Sequence, residues 1–284
     1  MADDTIQPKT AVAADSSATA PFPDALKDLI YVERDGVGTL TINRPEVHNA
    51  IGLPTMDELS RVLDWLESSS EITALVLTAT GSRTFVAGGD LKAFELLTTH
   101  EAVATMSRKM QRLMNRLSAL PIPVIGAING HCIGGGCEVA LACDIRIVSE
   151  TAQFGFKQVT IGITPAWAGR PRLVHLVGRS RALTLLLTGE LIDASEALRI
   201  GLADRIVPSA QVLSSALELA GQIAVNPRLA VRAIKRAVDE GEHLEGEQAV
   251  SFEAELCADT WMTEDHWEAL AARKEGRAPK FRGR

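Results

Sequence analysis

Three consecutive glycines, Gly134-Gly135-Gly136, stand between an apolar stretch that reads as a strand (123–128) and one that reads as a short helix (137–143). Glycines at such a junction let a bound group come up against bare backbone. The helix leaves its first N–H groups unpaired, with a partial positive charge behind them. That suits an oxygen that gains negative charge during a reaction. Three residues after Gly135, one helical turn on and on roughly the same side, comes Glu138. An anion hole with a carboxylate beside it outlines an enzyme that makes and quenches an enolate. A second segment makes the same offer. After the buried strand Val76-Leu77-Thr78-Ala79 comes Ala87-Gly88-Gly89-Asp90-Leu91-Lys92, again small residues before a helix, where the Gly89 amide could point at the same oxygen.

Further motifs lie in a fixed order around these two. They are Leu40-Thr41-Ile42-Asn43-Arg44-Pro45 with Asn49-Ala50, Cys143-Asp144-Ile145-Arg146, Ala152-Gln153-Phe154-Gly155, Gly162-Ile163-Thr164-Pro165, Leu187-Thr188-Gly189-Glu190 and the tail 276–284. With them the chain, from about residue 28 to its C-terminus, resembles the crotonase superfamily, the enoyl-CoA hydratase/isomerase family. The resemblance implies an α/β fold, a crotonase-like spiral of repeated ββα units with a C-terminal α-helical trimerisation region. It implies an acyl-CoA thioester as substrate, with coenzyme A as part of that substrate and no prosthetic group. The thioester carbonyl oxygen would be held by the N–H groups of Gly89 and Gly135. Each such donor is worth about 3 kcal/mol of transition-state stabilisation. Gly89, Asp90, Leu91 and Lys92 would line the CoA nucleotide, with Lys92 near its adenine and phosphates. Glu46, Val47 and His48 would follow the pantetheine arm, and Phe281 would complete a CoA pocket. Assembly as a homotrimer or homohexamer is implied as well.

The reaction turns on one departure. Hydratases of this family use two glutamates, one two residues after the triple glycine and one four residues after Phe-Gly. The first is Glu138; at the second this chain carries Gln158. A carboxamide can hold water or substrate, but it does not accept and return a proton at neutral pH. General acid–base help typically contributes about 100- to 10,000-fold in rate. The leading expectation is an enoyl-CoA hydratase-type lyase with Glu138 as acid/base and Gln158 holding water. An acyl-CoA decarboxylase of the methylmalonyl- or ethylmalonyl-CoA type follows, suggested by Pro165-Ala166-Trp167; then a thioester hydrolase, then a non-catalytic scaffold. Trp167 and Trp261 read first as core or interface fillers, with Trp167 also placed to shape an acyl pocket. His131 reads as a satisfied turn residue, and Lys157 as a solvent-facing lysine able to stand in as proton donor.

The 284 residues carry 29 basic and 36 acidic side chains, net charge −7, which argues against nucleic acid as the main partner. Lys92 and the basic tail (Arg273, Lys274, Arg277, Lys280, Arg282) could supply local positive charge to a polyanionic CoA. Cys132, Cys137, Cys143 and Cys257 show no CxxC spacing and read as reduced thiols, three of them in apolar sequence. The scattered histidines suggest no metal site, and no apolar run approaches membrane-spanning length. Residues 1–27 read as a disordered leader. Its first 24 residues contain four aspartates and no arginine, unlike a mitochondrial presequence, so a cytoplasmic location is expected.

Apolar alternation around Asp35-Gly36 predicts a hairpin over 30–42. Helical spacing marks 56–66 and 101–120, the latter stopped by Pro121, and strands are expected at 72–78 and 144–148. Strands alternating with helices indicate an α/β core over 28–192. The remainder, 193–284, reads as helical. It opens with Asp193 as N-cap and Glu196 three on, has a last strand at 205–207, and continues with helices at 210–225, 229–240, 247–259 and 265–274. Their apolar stripes need a partner surface.

Overall fold

The computed structural model describes Phe22 and residues 25–284, so the expected leader falls almost wholly outside the described residues. The chain enters through the hairpin of β1 (Leu29–Arg34) and β2 (Val37–Ile42), turned by Asp35 and Gly36, both at positive φ (51° and 76°). Two such residues in succession suit the twist of a two-residue hairpin turn. Helix α1 (Leu53–Ser68) follows, then β3 (Ala74–Ala79), β4 (Thr84–Val86), the single turn α2 (Leu91–Phe94) and the long α3 (His100–Ser118). Next come β5 (Val124–Ile128), β6 (His131–Ile133), α4 (Gly135–Ala140), β7 (Ile145–Ser149) and β8 (Gln153–Gly155). Helices α5 (Gly169–Val177) and α6 (Arg179–Thr188), β9 (Leu191–Asp193), α7 (Ala194–Arg199) and β10 (Arg205–Val207) complete the mixed part. Four helices close the chain: α8 (Val212–Ala224), α9 (Arg228–Gly241), α10 (Glu247–Trp261) and α11 (Glu264–Glu275).

The strands form two sheets. The larger runs β1-β2-β3-β5-β7-β10, parallel throughout except for the hairpin; the smaller runs β4-β6-β8-β9, with β4, β6 and β8 parallel. Strands β3, β5 and β7 each lie in the large sheet, and the strand that follows each lies in the small one. That is the expected spiral of strand pairs and helices. All residues of β3 and β5 are buried, as for central strands of a parallel sheet covered on both faces. One face carries Leu75 and Leu77 against α1 (Met56, Val62, Leu63) and α3 (Met110, Met114, Leu117). The other carries Ala74, Val76, Ile125 and Ala127 against Val212, Ala216 and Ala220 of α8. Small residues on both surfaces let that helix lie close.

Three features differ from the sequence reading. The segment before the triple glycine is not a plain turn: His131–Ile133 forms β6, a strand too short to leave a periodic pattern. Helix α4 begins at Gly135 rather than at residue 137, so two of the three glycines are helical. Helices α5 and α6 and strand β9 have no counterpart in the sequence reading. Among the described residues, no helix is long and apolar enough to cross a membrane.

Candidate active site

Strands β4, β6 and β8 are neighbours and parallel, so the segments leaving their C-terminal ends emerge side by side. β4 leads into Gly88-Gly89, β6 into Gly134-Gly135 and β8 into Phe156-Lys157-Gln158. The first two junctions touch. Gly88 has φ +100°, and a Cβ there would sit 3.1 Å from the Gly135 nitrogen and 3.0 Å from the Ile133 oxygen. Ile51 bridges the first junction: its N–H donates to Gly88 O (2.8 Å), and its oxygen accepts from Asp90 N–H (3.0 Å). Since amides alternate in direction along an extended chain, these two bonds leave the Gly89 N–H pointing away from Ile51. The Gly135 N–H, first in α4, has no carbonyl within its own helix to meet.

The Trp167 indole lies against both glycines. A Cβ on Gly135 would run into its six-membered ring, 2.5 Å from Cε3, and a Cβ on Gly89 would stand 3.5 Å from Cζ2 and 2.6 Å from Cε2 of Phe94. Only glycine lets the ring come this close.

Glu138, on α4, is 1% exposed. Its Oε1 accepts the N–H groups of Trp167 (2.8 Å) and Gly169 (3.0 Å), and its Oε2 accepts Gln158 Nε2 (3.1 Å). Burial pushes its pKa above the usual carboxylate range; the amides of Gly169 and Trp167 and the Gln158 carboxamide pull it partly back. A carboxyl group whose proton affinity burial raises and amide donors lower is suited to take up and return a proton. Gln158 is 6% exposed, and its Oε1 has no hydrogen-bond partner. A buried acceptor left free next to a catalytic-type carboxylate fits a donor such as water or substrate.

The turn Pro45–Val47 is joined to the first junction by Ala87 N–H donating to His48 O (3.1 Å). Glu46 and His48 are exposed there and Val47 half-buried, so all three flank the 87–92 segment. Asp90 caps α2 through Ala93 N–H (3.1 Å), and Leu91 and Lys92 are exposed on that helix. Phe281 is not brought to this place. Arg228 donates from Nη1 to Ser70 O, just past the end of α1, and from Nη2 to Arg282 O, which ties the tail to that end. Gly89 and Asp90 sit at the other end, beside Ile51 and Gly52. Within one chain the 16-residue α1, about 24 Å long, therefore separates Phe281 from Gly89. Part of the tail's charge is also matched internally, Arg277 by Glu268 and Glu275, and Arg284 by Glu264.

His131 accepts Gln153 N–H at Nδ1 (3.2 Å), a satisfied strand-end residue. Trp261 is half exposed and stacks on His266 (4.4 Å between centroids).

Sequence reasoning missed the groups that hold the site together. Arg44 donates to Asp90 Oδ2 (2.9 Å) and Ala50 O (2.5 Å) and pairs with Asp28 (3.3 Å). Asn49 Nδ2 donates to Thr80 O (3.0 Å) and Thr84 O (2.9 Å), and Asn49 Oδ1 accepts Arg44 N–H (3.0 Å). The Asn-Arg-Pro motif with Asn49 thus fixes the segment that presents Gly89; its spacing was visible, its purpose was not. The amides of Trp167 and Gly169 carry no signal in a sequence, because every residue but proline has one.

A family model described as Enoyl-CoA hydratase/isomerase matches residues 33–284. The short-chain-enoyl-CoA hydratase of Clostridium acetobutylicum is 39% identical over 248 residues, covering 86% of this chain and 93% of that protein. The crotonyl-CoA hydratase of Syntrophomonas wolfei is 36% identical over 259 residues, covering 90% and 98%. The crystal structure of an enoyl-CoA hydratase from Bacillus anthracis superposes with a TM-score of 0.86 at 33% identity, covering 91% of this chain and all of that one.

Proposed function

The chain belongs to the enoyl-CoA hydratase/isomerase family and is an enzyme of the hydratase type, and from that premise we propose how its own residues carry out the reaction. The substrate is an α,β-unsaturated acyl-CoA thioester. Its carbonyl oxygen rests between the N–H groups of Gly89 and Gly135. Glu138 takes a proton from water, and the water oxygen bonds to the β-carbon. The π electrons move through the α-carbon to the thioester oxygen, which becomes an enolate held by the two amides. The enolate collapses, and the α-carbon takes the proton from Glu138, which leaves the carboxylate as it began. Gln158 Oε1 accepts a hydrogen bond from the water's second O–H, which stays on the product hydroxyl, and Nε2 steadies Glu138. One carboxyl group thus serves both proton transfers.

The observation that carries this reading is Glu138 itself: buried, hydrogen-bonded at both oxygens, and standing in the helix that presents Gly135. A decarboxylase would bring a second carboxylate into this same space, where Glu138 opposes it. The test is to incubate the protein with crotonyl-CoA and, separately, with methylmalonyl- and ethylmalonyl-CoA, and to follow products by mass. Addition of water to crotonyl-CoA is expected. Only decarboxylated products, or only free CoA, would overturn the hydratase assignment.

The same proposal gives coenzyme A its place. Glu46, Val47 and His48 follow the pantetheine arm, and Asp90, Leu91 and Lys92 the nucleotide. Phe281 reaches that nucleotide only from another copy of the chain, in a trimer or hexamer. Exposed Ile234, Val238, Val250 and Met262 on and after the last helices support such an assembly. Light scattering of the purified protein reads its mass directly, and a monomer would remove Phe281 from the site. A cytoplasmic location belongs to this proposal too, supported by four cysteines that are all free thiols; fractionation of cells checks it.

A further inference from the structure

Two peptide groups hold Glu138 Oε1: the one joining Ala166 to Trp167 and the one joining Ala168 to Gly169. Each is gripped at its other end by a side chain. Gln111 Nε2, on α3, donates to Ala166 O (3.0 Å). Arg172 Nη1, on α5, donates to Ala168 O (2.8 Å). A trans peptide points its C=O and N–H in opposite directions, so each of these side chains pulls on the far edge of a plane whose near edge meets the carboxylate. Arg172 is itself anchored on α3, where Nη2 donates to Asn115 Oδ1 (2.9 Å), Ser118 Oγ (2.8 Å) and Met114 O (3.3 Å). Ala168 between the two peptides has φ +64°, a left-handed conformation that a residue with a side chain keeps only when its surroundings enforce it.

We propose that Gln111 and Arg172 are positioning residues that orient the Trp167 and Gly169 amides onto Glu138 and thereby fix both the place and the proton affinity of the acid/base. Hydrogen bonds in line polarise one another, so a donor on the carbonyl makes the N–H across the same peptide a stronger donor to the carboxylate. Arg172 adds its positive charge at longer range, since it and Glu138 interact electrostatically. Of the other titratable groups around Glu138, Cys137 is a buried thiol whose pKa burial raises, so it stays neutral. On α5, Arg170 and His175 are exposed, and His175 faces Glu242 (3.5 Å); on the turn bearing Gln158, Lys157 is half-buried. The two side chains lie on different helices, separated by 61 positions in sequence; both are tied to α3, Gln111 as part of it and Arg172 by its anchor there, and both act on the one loop they hold.

The proposal rests on the hydratase reading for its kinetic test and is independent of it for its spectroscopic one. The variants are Gln111→Leu, which keeps the shape and loses the donor, and Arg172→Met, with Arg172→Lys as the conservative control. For crotonyl-CoA hydration, kcat is expected to fall about 10- to 100-fold, the scale on which a misplacement of about 1 Å acts, with KM little changed. The acid limb of the kcat/KM profile should move to higher pH in Gln111→Leu and Arg172→Met, because weaker amide donors leave the carboxylate less stabilised. Arg172→Lys should recover part of both effects. The Glu138 carboxyl titration, read by carbon NMR of glutamate-labelled protein and assigned with Glu138→Gln, should move upward in step without any substrate. Variants that only lose thermal stability, with the acid limb and the carboxyl titration where they stand in the wild type, would overturn the proposal. A wild type that hydrates nothing would instead remove the function reading, and the NMR titration would still decide the positioning role.

Discussion

Gln158→Glu tests the reasoning at the position where the resemblance implies a second glutamate and this chain carries glutamine. The side chains are nearly isosteric, and the wild-type carboxamide lies 3.1 Å from Glu138 Oε2. In the variant two carboxyl groups face each other across that gap. Two full negative charges so placed repel by about 5 kcal/mol at an effective dielectric of about 20. The pair therefore keeps one proton at neutral pH, shared along the former hydrogen bond. That proton supplies the acid that Gln158 lacks, and the α-carbon no longer depends on Glu138 for its protonation. If α-protonation limits turnover, kcat for crotonyl-CoA should rise, by at most about the 100- to 10,000-fold that general acid catalysis contributes. The assay is the loss of the conjugated thioester's ultraviolet absorbance, repeated across pH. A new alkaline limb should appear where the shared proton is lost. A folded variant with wild-type affinity for CoA and unchanged or lower hydration would refute the claim that position 158 lacks a needed acid.

Glu138→Gln should lower kcat on the order of 100- to 10,000-fold with CoA affinity, read by calorimetry, unchanged. Its stability should move the other way. The folded-state pKa of Glu138 is raised by burial, so the stability it lends is present below the usual carboxylate range and lost as pH rises through the folded value. Thermal unfolding should accordingly show the Gln variant gaining on the wild type at about pH 8, and the gap closing as pH falls toward the ordinary glutamate range of about 4. Gly135→Ala keeps its N–H but drives a methyl into the Trp167 ring; the backbone shift that relieves the clash takes that N–H off the thioester oxygen, so turnover should fall about 100- to 1000-fold, as when one oxyanion donor is lost, and an unaffected kcat would show that the ring rather than the backbone gives way. Trp167→Ala removes an indole that is 4% exposed. It should cost about 3–5 kcal/mol of stability, read by denaturant unfolding, and raise kcat/KM for longer enoyl chains relative to crotonyl-CoA.

Local rules carried much of the fold. Asp35-Gly36 announced its hairpin because few residue pairs accept two positive φ angles in succession. Asp193 announced its helix because a carboxylate there meets the Glu196 N–H, as it does at 2.8 Å. Elements that depend on context were not legible. Helix α5 buries only Gly169, Leu173 and Val177, a stripe one residue wide, and carries Pro171 and three basic side chains (Arg170, Arg172, His175) besides. Strand β6 has three residues and no room for a period. At the site, Glu138 and Gln158 could be named from the chain because their chemistry is in their side chains. The clamp around them could not, because it is made of amides, and Gln111 and Arg172 act on it from helices that no spacing connects.

The repeated geometry accounts for why the site residues lie so far apart in sequence and still meet. β4 ends at Val86, β6 at Ile133 and β8 at Gly155, and the residues in question follow at Gly89, Gly135 and Gln158. Each comes two or three positions past its strand, on three adjacent parallel strands, at the same edge of one sheet. Successive turns of the spiral therefore deliver one group each to a common point: an amide, an amide with a carboxylate one helical turn behind it, and a carboxamide. The backbone sets where each group arrives, and the side chain sets only what it does there. Gln158 stands at the offset that suits a glutamate, within hydrogen-bond reach of Glu138. The carboxamide sets the chemistry available at that point, on a scaffold that would present a glutamate equally well.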